Sequence, residues 1–412
     1  MRLAIFTNTF PGRTVTFFAR DIAPLLRAGI DVEIFPFYPL DPSLWCYVPE
    51  ILSDSILDRN KIHHINARQI VRSVGRLPFR SIGTFLCDMA AINASALRYG
   101  IAPLAKTDYV ALKACIWAAQ ADRAYDHILA YWGNYAATGA YLFRRLTSVK
   151  VPLSIFLHAG LDLYENPIYM RQKLLDADQI ITCSEFNRKF MCANFSDIYQ
   201  TVSNKIYVHH HAVDLAEFRF SADSRPTQKI MAIGGLYDYK GFDYLLRAGH
   251  ELGRRGISFE IELVGDGTEA DSLKALTHQL QISDKVKFSG WVKPANIPTL
   301  IRQATIFVHP SSRLADGVPN VLKEAMAIGT PVIASRVAGI PELLCDGKYG
   351  MLVPSKDVKA LADAIETLLV NKSLRLKFAH EARKHVEEKH DLWRNGQDLA
   401  AVLFSGRRAA TN

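Results

Sequence analysis

The sequence has no Cys-x-x-Cys pair, no apolar run of membrane-spanning length, and neither of the common phosphate-loop patterns. Its six cysteines, at positions 46, 87, 115, 183, 192 and 345, are scattered. That spacing argues against a zinc site or a disulfide framework and suits a reducing cytoplasm. A spanning helix needs roughly 18 uncharged apolar residues. The best candidate, residues 101–121, is broken by Lys106, Asp108 and Lys113. No secretory leader is expected, because residues 2–8 already read as a buried strand. Neither Gly-x-Gly-x-x-Gly nor Gly-x-x-x-x-Gly-Lys-Ser/Thr occurs, which weakens a dinucleotide-binding or P-loop reading.

One absence is local. No acid occurs from Arg59 to Cys87, a stretch that contains Arg59, Lys61, Arg68, Arg72, Arg76 and Arg80. The last four recur every four residues among Ile70, Val71, Val74, Leu77 and Phe79, so a helix there would set a basic flank beside an apolar one. Such a surface suits anionic headgroups at roughly 1 kcal/mol per base, although charge runs are also ordinary solvated faces. Nucleic acid is not expected as a partner, since neither aromatic interleaving nor a binding motif accompanies the charge. The expected location is therefore cytoplasmic, with residues 59–80 giving peripheral contact to an anionic membrane at the inner face of the plasma membrane.

What is present points to two domains. The chain has 412 residues, 49% of them hydrophobic and 22% charged, enough for two sizeable cores. The net charge of +8 is shared evenly between the halves. Short apolar strands alternate with helical patterns in two series, separated by the polar linker 221–226. We therefore expect an α/β protein with two Rossmann-like, doubly wound domains, at 1–220 and 221–390. The triplet His209, His210 and His211 is read as connecting chain, because neighbours on an extended strand point to opposite sides. No metal site is expected.

Chemistry concentrates between His309 and Asp346. A buried strand, residues 304–309, leads through a loop to Asp316-Gly317-Val318-Pro319-Asn320 and then to an apolar-faced helix that Gly329 ends. Free N–H groups in a first helical turn attract anions, and a Gly-Val-Pro entry lets backbone approach a ligand. Asp316 precedes the helix and Glu324 lies on the face shared with Asn320, so two acids suited to sugar hydroxyls frame an anion site. The same spacing also fits an ordinary βαβ unit with solvated acids. Early in the chain, Gly12 and Arg13 occupy the first βα turn, where they would reach a phosphate or simply form a surface turn.

The stretch resembles the donor-binding signature of the retaining family 4 glycosyltransferases, glycosyl transferases group 1, whose fold is GT-B. Asp316, Gly317, Pro319, Glu324, Ala325, Met326 and Ala327 match that family's Glu-Gly-x-Pro-x-x-x-x-Glu-Ala-Met-Ala, and Gly339-Ile340-Pro341-Glu342-Leu343 continues the match. Lys240 and Gly241, then Gly265, Asp266 and Gly267, resemble its phosphate-binding loops. His158 resembles its histidine near the donor sugar, with Asp162 one residue late. Two departures stand against this likeness: Asp316 replaces a glutamate, and Gly235 replaces a phosphate-binding arginine.

The resemblance implies a GT-B protein whose domains face each other across a cleft, with a last helix at 391–412 returning to the first domain. It implies a retaining, metal-independent transfer of a sugar from a nucleotide-diphosphate donor to a glycan or lipid-linked acceptor, in cell-surface polysaccharide biosynthesis. No cofactor is implied, the nucleotide sugar being a substrate. Lys240, with the backbone at Gly317, Val318, Pro319 and Asn320 and with Arg313 or Arg13, would hold the diphosphate. Glu324 would hold the ribose, Asp316 the donor hydroxyls, and His158 the sugar. A non-catalytic subunit that binds nucleotide sugar, or another GT-B enzyme such as an epimerase, is the alternative. For the basic stretch, the full-length protein should co-sediment with anionic vesicles more than with neutral ones, and equal retention on both would remove that idea.

Overall fold

The computed structural model describes residues 1–12, 15–47, 57–66, 68–70, 82–121, 124–147, 150–165, 167–221 and 228–405. The chain forms two compact units, Met1–His209 with Gly396–Asn412, and His210–Asn395. Each holds one parallel six-stranded sheet.

In unit 1 the strands are β1 (Arg2–Thr7), β2 (Asp31–Pro36), β3 (His127–Ala130), β4 (Leu153–Leu157), β5 (Gln179–Thr182) and β6 (Ile206–Val208), in spatial order β2-β1-β3-β4-β5-β6. β3 and β4 are buried at every position, as strands covered on both faces require. Two apolar clusters line the sheet, one built on Phe6, Phe35 and Phe143, the other on Leu3, Phe18 and Tyr131. The helix Leu392–Ser405 contributes Leu399, Val402 and Leu403 to the second cluster, which ties the chain end to this unit.

Unit 2 contains β7 (Lys229–Ile233), β8 (Glu260–Val264), β9 (Val286–Gly290), β10 (Ile306–His309), β11 (Val332–Ser335) and β12 (Met351–Val353), in order β12-β11-β10-β7-β8-β9. β12 was not expected, because three residues carry too little pattern; it exists by pairing with β11. The helices Val358–Val370 and Lys372–Lys389 follow.

The expected boundary at 220 moves. Residues 210–220 belong to unit 2, where Val213 bridges Asp391, Lys323 Nζ donates to the His211 carbonyl at 2.9 Å, and Arg383 donates to the Phe218 carbonyl at 2.9 Å. A buried lysine must find acceptors, and these carbonyls lie in the chain expected to belong elsewhere. The division falls inside the histidine triplet. Most of the expected linker lies outside the described residues, as do Arg13 and, in the basic stretch, Arg72, Arg76 and Arg80. Of the bases that are described, Lys61 pairs with Asp31 at 2.6 Å and Arg59 lies over Trp45 at 4.8 Å. Among the described residues no helix is long and apolar enough to cross a membrane.

Glu33 pins the segment after Arg59 to β2. Its carboxylate, 9% exposed, meets Arg2 at 2.6 Å, His63 at 2.8 Å and the Tyr125 hydroxyl at 2.7 Å. Burial pushes its pKa up, but hydrogen bonds from His63, Tyr125 and Arg2 outweigh that and hold it at about 2. The native pKa is thus depressed, so the stabilisation is complete above the ordinary carboxyl range and fades as pH falls toward 2. Glu33→Gln should cost about 2–3 kcal/mol at neutral pH by urea unfolding, with the gap to the parent narrowing below about pH 4.5.

Candidate active site

In an open parallel sheet, ligands gather beyond the carboxyl ends of the strands where the winding direction reverses. In unit 2 that point lies between β7, which leads on to β8, and β10, which leads on to β11. The loops leaving these two strands carry Lys240 and Asp316, and the structure joins them: Lys240 Nζ donates to Asp316 Oδ1. On the other oxygen, His309 Nε2 lies 2.5 Å from Asp316 Oδ2. The three side chains grade from dry to partly wet, 1% exposed at His309, 5% at Asp316 and 15% at Lys240. Burial opposes charge on Asp316, yet Lys240 and His309 overcome it and hold the carboxyl well below its usual range.

Two helix mouths open beside this triad. Gly241 precedes the helix Phe242–Arg254, and Pro319 precedes Asn320–Ile328; neither start has a side-chain cap. Their first-turn N–H groups therefore remain available to an anion. Gly241 has φ +68°, and an added Cβ would sit 2.2 Å from the Pro310 carbonyl oxygen, so only glycine lets the two loops close on one another. Gly317 and Pro319 are buried, Val318 is half-buried, and Asn320 Oδ1 is a buried acceptor with no partner among the described residues. Glu324, 7% exposed, follows one turn along the same helix.

Gly265, Asp266 and Gly267 lie behind the β7 loop. Gly234 N bonds Val264 O at 3.0 Å and Leu236 N bonds Asp266 O at 3.0 Å. Asp266 is exposed and accepts from Gly267 N at 2.8 Å. The family's missing arginine also has a structural counterpart. A Cβ on Gly235 would come 2.5 Å from the Tyr237 ring, which stacks on Tyr239 at 5.9 Å. Arg313, offered by the sequence as a phosphate ligand, instead pairs with Asp238 at 2.7 Å, with both side chains more than half exposed.

In unit 1, His158 follows β4 and is 6% exposed. Its ring lies among Phe156 (4.3 Å), Trp132 (4.5 Å) and Tyr131 (4.9 Å). Asp162, whose late spacing made it doubtful, accepts from His158 N at 2.8 Å and from Asn134 N at 3.1 Å, with Oδ2 also 3.5 Å from His158 Nδ1. It tethers the loop after β4 to the loop after β3. Gly12 follows β1 and is half-buried. Sequence reasoning passed over His309, although the signal that singled out His158, a histidine ending a buried parallel strand, was equally present there.

Residues 216–385 match the family described as Glycosyl transferases group 1, and this stretch carries that family's domain. An Escherichia coli protein named as a colanic acid biosynthesis glycosyltransferase is 27% identical over 94% of this chain and 97% of its own. The amylovoran biosynthesis glycosyltransferase AmsK of Erwinia amylovora is 26% identical over 98% of this chain and 99% of its own. Among solved structures, sucrose-phosphate synthase of Thermosynechococcus elongatus is 17% identical with a TM-score of 0.71, covering 98% of each chain. HepE of Anabaena, solved in complex with UDP, is 17% identical with a TM-score of 0.68, covering 98% of this chain and 99% of its own. These likenesses establish the fold: two Rossmann-like halves of the GT-B class.

The packing of the loops behind Lys240 makes a direct expectation. Gly265 has φ +141°, and a Cβ there would lie 1.9 Å from the Gly234 carbonyl oxygen. Gly265→Ala should destabilise the protein by about 2–4 kcal/mol. Chemical denaturation of the purified variant checks this, and an unchanged midpoint would contradict the contact.

Proposed function

We propose that this protein is a glycosyltransferase that moves a sugar, with retention of configuration and without a metal ion, from a nucleoside-diphosphate donor to a glycan or lipid-linked acceptor. Relatives named for colanic acid and amylovoran biosynthesis support a polysaccharide product, which we place at the cell surface. The observation that carries the reading is the ammonium of Lys240 at the switch point of unit 2, between two helix starts that lack side-chain caps. A departing nucleoside diphosphate is a concentrated anion. Preorganised amides and one fixed cation stabilise such a leaving group most as its charge develops, which lowers the barrier rather than merely tightening binding.

The other roles follow from chemistry. Glu324 is buried on the helix whose first turn faces the diphosphate, and a carboxylate there accepts from ribose hydroxyls. His158, boxed by aromatic rings and tethered through Asp162, is a rigid polar tip suited to orienting the donor sugar. The acceptor falls to unit 1, where Asn8 Nδ2 bonds Asn134 Oδ1 at 3.0 Å at the sheet's own switch point. Such neutral amides suit hydroxyl-rich ligands.

Thermal shift against a panel of nucleoside diphosphates and their sugars tests the donor class, since a ligand at about 100 times its Kd adds about 2.7 kcal/mol. With the donor so found, Lys240→Ala and Glu324→Ala should each lower transfer at least about tenfold. Parental rates in both variants would place the site elsewhere.

A further inference from the structure

A lysine is a compact charge on a flexible stem, so its value to a diphosphate depends on what holds the stem still. Two buried groups do so here. The Asp316 carboxylate takes Lys240 on one oxygen and the His309 ring, at 2.5 Å, on the other, so both oxygens are engaged within unit 2. His309 is itself fixed by its place at the end of β10, where residues 306–309 are all buried. Its other ring nitrogen, Nδ1, has no partner among the described residues, so Asp316 is the polar group that sets the ring's orientation. A buried charge chain costs desolvation that an apolar trio of equal volume avoids. Its partly exposed end, however, is the ammonium beside the two helix mouths, where an anion would bind.

We infer that His309 and Asp316 are positioning residues that act through Lys240, and that Asp316 does not serve as a ligand for donor hydroxyls. This rests on Lys240 being a diphosphate-binding residue. It also revises the role first expected for Asp316. The shorter carboxylate at this position is the one that bridges a strand-end histidine and a lysine from the neighbouring loop, and at 5% exposure, with a partner on each oxygen, it is poorly placed to take a sugar hydroxyl.

The test is calorimetric titration of the full-length protein with UDP and with GDP, in single and paired variants. Lys240→Ala should weaken binding of the preferred nucleotide about tenfold or more, and His309→Ala and Asp316→Asn about fivefold each. In the Lys240→Ala background either second change should move the affinity less than about twofold, because their effect is spent through the missing lysine. His309→Gln, which keeps a nitrogen near the Nε2 position, should restore binding to within about twofold of the parent. Asp316→Asn, nearly isosteric, carries the test if His309→Ala fails to fold. Additive losses, or strong losses that persist without Lys240, would overturn the positioning role while leaving the donor site in place. Silence of Lys240→Ala, or no binding of either nucleotide by the parent protein, would overturn the donor site and this inference with it.

Discussion

A carboxylate that is only 5% exposed has to be answered by polar partners, and Asp316 is answered twice, by the Lys240 ammonium and by the His309 ring. That requirement fastens the loop after β7 to the loop after β10, and the backbone has conformed to it. Gly241 lets the Pro310 carbonyl come close, and Ser312 N bonds the Tyr239 carbonyl at 2.8 Å. Two helix starts are brought beside one ammonium as a result. The proposed anion site of unit 2 is therefore a property of the paired loops, and neither loop would have it alone.

The carboxyl end of the unit 1 sheet is built differently. Its deeply buried lysines are satisfied by backbone. Lys173 donates to the Gly133 and Asn134 carbonyls at 2.7 and 3.1 Å, and Lys113 to the Phe37 carbonyl at 2.7 Å. Burial brings Lys173 down to about 7 and Lys113 down to about 8. These side chains hold loops in shape, and what those loops offer is amide, hydroxyl and aromatic surface around His158. One unit thus presents fixed positive charge and the other presents neutral polar and ring surface. That division of labour suits the proposed reaction between an anionic donor and a polyhydroxylated acceptor.

Much of this was legible in one dimension because the relevant signals are local. Buried parallel strands are short apolar runs, and β1 and β10 could be placed within a residue or two. Glycines at 241, 265 and 267 were singled out by pattern, and the structure gives the reason, since at each a Cβ would strike a carbonyl of a neighbouring loop. Where pattern was thin, the reading failed. β12 is three residues long, and residues 210–220 join unit 2 through a hydrogen bond from Lys323, more than a hundred positions away. Asp162 looked misplaced by one residue, yet a loop can absorb that slip and still deliver a carboxylate to the His158 amide.

The sequence by itself determined the element types, the two-domain α/β architecture and the placement of glycine-bearing loops at the strand ends, because each follows from propensity and periodicity over a few neighbouring residues. What the side chains in those loops do was decided only in three dimensions. Lys240 and Asp316 are 76 residues apart, and their union depends on β7 and β10 lying side by side in the sheet. Nothing in the spacing from His309 to Asp316 says that the acid turns back to the histidine rather than outward. Strand order and the exclusion of water choose among a carboxylate's possible partners, and both are properties of the folded sheet.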